Sequence, residues 1–190
     1  MTATSTILIV PGLRDHVAQH WQTHLAASLP LSVTVQPLEH DKLSCAARVR
    51  ALDTTFRSLR GPVIIVAHSA GVMMVVHWAE TFGVRIKGAL LATPADVESP
   101  FPQGYPTTEA LRENGWLAIP RQSLPFPSLI AASENDPLCA FDRAFEMAQD
   151  WGGELVNVGW VGHLNPAAGF GPWPEAENLI RRLDQADGAD

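Results

Sequence analysis

Three side chains in this sequence have the types and the chain order that acyl transfer at a serine requires. The run Val63-Ile64-Ile65-Val66-Ala67 leads directly into His68-Ser69-Ala70-Gly71, and a helical pattern rich in Val and Met, with Trp78, follows over residues 72–81. Strand, serine, helix is the arrangement of a nucleophile elbow, in which the serine sits on a sharp, strained turn that needs small residues two positions to either side. Ala67 and Gly71 meet that need, with alanine at the first position where glycine is common. Ser69 could instead be an ordinary helix N-cap, but the strand before it favours a nucleophile.

A serine hydroxyl is a poor nucleophile at neutral pH and needs a base within hydrogen-bond reach, itself held by an acid. Behind this type of elbow the order is Ser, acid, His, each at the C-terminal end of a successive strand. Asp136 follows the apolar run 128–132, and His163 follows the run 155–158 in Gly162-His163-Leu164-Asn165. Asp96, two residues past Pro94, and Glu134 compete for the acid; placement at a strand end favours Asp136. The bland readings are a turn-former or helix cap for Asp136 and a surface histidine in a Gly-rich turn for His163. The developing oxyanion needs donors, commonly two backbone N–H groups worth about 3 kcal/mol each. Ala70, after the nucleophile, and Leu13, in the loop Pro11-Gly12-Leu13-Arg14 after the first strand, are the expected pair.

The remaining histidines suggest other chemistry. His16, His20 and His24 are spaced by four and would line one face of a helix after Gly12, where they could chelate a metal ion. No Cys or carboxylate follows at ligand spacing, so a packed or solvated stripe is the expectation and no metal is assigned. His68 reads as a packing residue beneath the sheet edge, and no Gly-rich phosphate loop points to nucleotide chemistry.

The elements that must position these groups are legible as short apolar runs at 7–10, 33–35, 63–66, 86–92, 128–132 and 155–158. Continuous rather than alternating apolarity marks strands buried on both faces. Helical patterns lie between them, the clearest over residues 44–59, with Ser44 as cap and Val49, Leu52, Phe56 and Leu59 on one stripe. Alternating strands and helices predict a parallel sheet. Length and composition agree: 190 residues suit one domain, and 46% hydrophobic against 17% charged residues is too apolar for disorder. A net charge of −7, to which Asp184, Asp187 and Asp190 contribute, argues against a nucleic-acid or anionic-membrane partner. Cys45 and Cys139 lack disulfide-framework or zinc-ribbon spacing, and the first apolar run stops at Pro11 with no Lys or Arg before it; a cytoplasmic protein is expected. The reading is a domain over residues 1–183 followed by an acidic tail, 184–190.

Residues 94–127 break the rhythm, holding seven of the fifteen prolines with Phe101, Tyr105, Trp116 and Phe126 spread among them. Prolines forbid one continuous helix there, although a short one over 107–114 is allowed. Long connections of this kind are usually functional, so the segment is expected to be a lid whose four aromatics line the substrate pocket; a packed surface loop is the alternative. Aromatics with few cations suggest a small, neutral or weakly polar ester as substrate.

Taken together, Val10-Pro11-Gly12 with His20-Trp21, Ala67-His68-Ser69-Ala70-Gly71, Thr93-Pro94-Ala95-Asp96-Val97, Asn135-Asp136-Pro137 and the segment 159–174, GWVGHLNPAAGFGPWP, resemble the YdeN and retinoblastoma-binding protein nine family of small serine hydrolases. The resemblance spans nearly the whole chain. It implies a minimal single-domain α/β-hydrolase fold, with six mostly parallel strands and helices on both faces, and Ser69, Asp136 and His163 as the triad. It implies no cofactor. The Leu-x-Cys-x-Glu peptide associated with retinoblastoma-protein binding is absent, since the nearest match, Leu43-Ser44-Cys45-Ala46-Ala47, ends in alanine. The expected activity is ester cleavage through an acyl-serine. An amidase or aminopeptidase is the alternative within the class, with a binding module on a weakly active triad, or a metal-dependent hydrolase using His16, His20 and His24, outside it.

Overall fold

The apolar runs become strands because both sides of each are covered. In the computed structural model, which describes residues 5–186, the strands are β1 (Thr6–Val10), β2 (Ser32–Thr34), β3 (Val63–Ser69), β4 (Gly88–Pro94), β5 (Ser128–Ala132) and β6 (Glu154–Asn157). They form one sheet in the order β2-β1-β3-β4-β5-β6, with every pairing parallel. The helices are α1 (Trp21–Ser28), α2 (Cys45–Ser58), α3 (Ala70–Phe82), α4 (Thr108–Glu113), α5 (Phe141–Trp151) and α6 (Glu175–Gln185). Alternate strand residues point to opposite faces. Leu8, Val10, Ile65, Ala67, Leu91 and Ile130 pack with α2, α3 and α5. Ile7, Ile9, Ile64, Val66, Leu90 and Leu129 pack with α1 and α6. The expected six-stranded, single-domain α/β architecture is present. Among the described residues no helix is long and apolar enough to cross a membrane.

Strand order reverses between β1 and β3: the chain leaves β1 for β2 on one side and returns to β3 on the other. In open parallel sheets the crevice outside the carboxyl ends of such neighbouring strands is where ligands bind. Gly12, after β1, and Ser69, ending β3, meet there, and a Cβ placed on Gly12 would lie 3.2 Å from Ser69 Cβ.

Residues 94–127 are a correction to the lid expected from sequence. Trp116 and Phe126 are buried in the core on the α2, α3 and α5 side, with Val97, Leu111 and Ile119. Trp116 Nε1 donates to Leu43 O at 2.7 Å. An ion network fastens the segment to α5: Arg143 contacts Asp96 at 3.0 Å and Glu98 at 2.8 Å, while Arg121 contacts Glu98 at 2.7 Å and Asp150 at 3.0 Å. Trp116 and Phe126 fill the core, which proline content and spacing do not reveal. The acidic tail is also revised, because α6 runs to Gln185 and therefore contains Asp184. That carboxylate pairs with Lys87 at 2.9 Å and accepts from Ser5 Oγ. Asp187 and Asp190 lie outside the described residues.

Candidate active site

The turn from β3 into α3 puts Ser69 at φ 59°, ψ −126°, a left-handed backbone that a side-chain-bearing residue rarely adopts. This conformation lifts the hydroxyl off the sheet and turns it toward the β6 side. His163 reaches it from the loop after β6. The Ser69 hydroxyl donates to His163 Nε2 at 2.8 Å, and His163 Nδ1–H donates to Asp136, 2.9 Å from both carboxylate oxygens. The side chains of both His163 and Asp136 are buried. Asp136, just past β5, also accepts from Leu138 N at 2.8 Å, an Asx turn that fixes the carboxylate plane.

The competing acids are occupied elsewhere. Burial alone would raise the Asp96 carboxyl, but hydrogen bonds from Arg143 and Ser99 and the Arg143 charge outweigh it and hold it below the usual range. Glu134 is exposed and accepts from Asn157 Nδ2 at 2.8 Å and Trp160 Nε1 at 2.6 Å. Neither touches His163.

The loop carrying His163 is pinned by groups the sequence did not single out. Asn135 Oδ1 accepts from Gly162 N at 2.8 Å, and His68 Nε2–H donates to the carbonyl of His163 at 2.8 Å. His68 is thus more than packing: because a carbonyl only accepts, the ring carries its proton on Nε2. Its ring lies 4.9 Å from that of His163 and 4.5 Å from that of His20. His20 in turn is the N-cap of α1, with Nδ1 accepting from Gln22 N at 3.1 Å. The helix therefore starts at Trp21, His16 precedes it, and the three histidines spaced by four do not share a helix face. The only sequence-level signal for these roles was proximity, His68 beside Ser69 and Asn135 beside Asp136.

Burial, and then the charge of His163, push His20 down to about 4; burial, His163 and His20 together push His68 well below the usual histidine range. In the unfolded chain both would protonate near the ordinary value of about 6.5. The unfolded state therefore binds more protons than the folded state as pH falls below that value, so stability falls with it. Each histidine contributes at most about 1.4 kcal/mol per pH unit, and the His20 contribution stops growing near its folded value of about 4. His77 is shifted downward by burial and adds in the same direction. The urea midpoint is expected to drop between pH 7 and pH 5, and His20→Gln should flatten that drop; equal midpoints at the two pH values would contradict it.

A cavity of about 260 Å³ opens above Ser69 and His163. Of the four aromatics singled out in residues 94–127, Phe101 and Tyr105 line it; Trp116 and Phe126 do not. Leu13 and Ala70 border it too, and Ala70, the first residue of α3, has an N–H without an intrahelical acceptor. The cavity also takes in Arg14, His20, Gln22 and His68. Gln22 Nε2 bonds to Val10 O at 3.2 Å and Val66 O at 3.1 Å, tying α1 to β1 and β3.

Residues 7–182 match the model of a family described as serine hydrolase. The chain belongs to the serine hydrolase family. A YdeN-like hydrolase from Pectobacterium atrosepticum is 33% identical over 94% of this chain and 89% of its own, with a TM-score of 0.77. The ydeN gene product of Bacillus subtilis is 19% identical over 96% of this chain and 100% of its own, with a TM-score of 0.78. This serine hydrolase is therefore a YdeN-like member of the family and an enzyme of the hydrolase class. The fold is shared more widely: Est1E from Butyrivibrio proteoclasticus, 12% identical, covers 97% of this chain and 87% of its own with a TM-score of 0.69. No curated protein matches the chain in sequence.

Proposed function

We propose that this serine hydrolase cleaves small carboxylic esters through an acyl-serine intermediate. The observation that carries the reading is the continuous hydrogen-bonded chain from Ser69 through His163 to Asp136, at 2.8 and 2.9 Å, on the floor of a cavity. His163 Nε2 takes the hydroxyl proton as Ser69 Oγ attacks the ester carbonyl, and Asp136 holds the ring in the required tautomer and stabilises the imidazolium. The oxyanion is received by the N–H groups of Ala70 and Leu13. Collapse expels the alcohol, which takes its proton from His163. Water, deprotonated by the same nitrogen, then attacks the acyl-serine, and the acid and free Ser69 are regenerated. Likeness in fold to Est1E and to a carboxylesterase of Bacillus subtilis supports an ester substrate.

A fluorophosphonate should label the protein covalently on Ser69, as read by peptide mapping, and the protein should hydrolyse p-nitrophenyl butyrate until it is labelled. An adduct on a different serine, or no adduct, would overturn the assignment.

A further inference from the structure

The cavity contains a cation that the aromatics of residues 94–127 gave no hint of. Arg14, in the loop after β1, is the only Lys or Arg among the described residues that line it. Its guanidinium carbon stands 5.4 Å from the centre of the Tyr105 ring, so the guanidinium is steadied against an aromatic face that also lines the cavity. No carboxylate lies within ion-pair distance of it among the described residues. Its neighbour Asp15 is taken instead by Arg48, at 3.0 Å. Arg48 is itself buried and also donates to Leu13 O at 3.2 Å and Lys42 O at 2.6 Å, so it holds the residues on both sides of Arg14, Leu13 by its carbonyl and Asp15 by its carboxylate. Asp15, with φ 54°, completes a turn in which its N–H donates to Gly12 O at 3.0 Å. A buried arginine thus occupies the one carboxylate among the described residues of the cavity rim and leaves Arg14 free to face the cavity. His20 and His68 are held neutral and add no competing charge.

We propose that Arg14 recognises a carboxylate on the substrate, so that the preferred substrate is an ester that also bears a free carboxylate. The proposal rests on the ester-hydrolase reading above and narrows its substrate class. A planar guanidinium pairs with a carboxylate through two parallel N–H···O bonds, a geometry that lysine does not offer. The chain's net charge of −7 disfavours anions in general, so a preference for one must be local to this rim.

The test compares p-nitrophenyl hydrogen adipate with p-nitrophenyl hexanoate, which differ at the far end of the acyl chain, and 4-acetoxybenzoate with its methyl ester, which differ on the leaving group. In at least one pair the anionic ester should have a kcat/KM about tenfold higher, chiefly through KM, because the bond is made alike in ground and transition states. Added salt should reduce that preference. Arg14→Gln should abolish the anionic-to-neutral ratio, and Arg14→Lys should restore only part of it. If neutral esters are hydrolysed and Ser69 is labelled but neither pair shows a preference, or if Arg14→Gln keeps the ratio, the proposal is overturned while the hydrolase reading stands. If no ester in either pair is cleaved and Ser69 is unlabelled, the hydrolase reading itself falls, and this one with it.

Discussion

Asp136→Asn is expected to lower kcat for p-nitrophenyl butyrate by about 10⁴-fold with little loss of folded protein. The carboxylate accepts from His163 Nδ1–H, and that bond forces the free lone pair onto Nε2, 2.8 Å from the Ser69 hydroxyl. An asparagine can present its amide N–H to Nδ1, which stabilises the opposite tautomer and turns Nε2 into a donor that cannot accept the serine proton. It also removes the negative charge that stabilises the imidazolium formed in the transition state. Asp96→Asn is the control, since Asp96 is buried and follows β4 but bonds Arg143 and Ser99 instead of a histidine. It should reduce stability by about 1–3 kcal/mol, because Arg143 keeps Glu98 and Glu146 as partners, and should leave kcat within a few-fold. Steady-state kinetics and urea unfolding of the two variants separate the roles; a larger kcat loss in Asp96→Asn would move the acid to that residue.

Gly71→Ala is expected to destabilise the protein by about 3 kcal/mol or more, lowering Tm by roughly 6–12 °C. A Cβ on Gly71 would sit 2.3 Å from Val10 O and 2.7 Å from Pro11 O. Those atoms are backbone at the end of a central strand, so neither can swing aside. Relief requires moving the start of α3 or the end of β1, which shifts Ser69 against Gly12 and Leu13. A variant that folds should therefore also lose ester hydrolysis. Ala67→Gly gives the contrast: Ala67 is fully buried in β3 and pairs with Val10, so losing its methyl should cost only about 1 kcal/mol. Thermal unfolding of both variants checks the ranking. Equal losses would mean that the clash with the end of β1 does not set the cost at Gly71. At Gly71 the structure gives the requirement its cause, the backbone at the end of β1.

The sheet and the hydrogen-bonded chain were legible in the sequence because each depends on local pattern. Continuous apolar runs such as Val63-Ile64-Ile65-Val66 arise from strands covered on both faces, and chain order then places Ser69, Asp136 and His163 at the ends of three strands of one parallel sheet. Ser44 capping α2 was visible for the same reason, since a cap bonds only a few residues along. Residues 94–127 were misread because composition does not say which way an aromatic points. Trp116 and Phe126 turn inward because β4, α3 and α5 leave apolar surface that the segment must cover, whereas Phe101 and Tyr105 reach the cavity. The histidine contacts could not be read either: His68 donates to a carbonyl 95 positions away. The charge of the cavity was decided at the same level. Arg14 and Arg48 are both cations in the sequence, and only folding pairs Arg48 with Asp15 and leaves Arg14 facing the space above Ser69. Local pattern thus determined the strands and the chain order in which Ser69, Asp136 and His163 follow them, because those depend on nearest neighbours along the chain. The lining and electrostatics of the cavity depend on side chains that converge from separate loops, and only the tertiary structure brings those together.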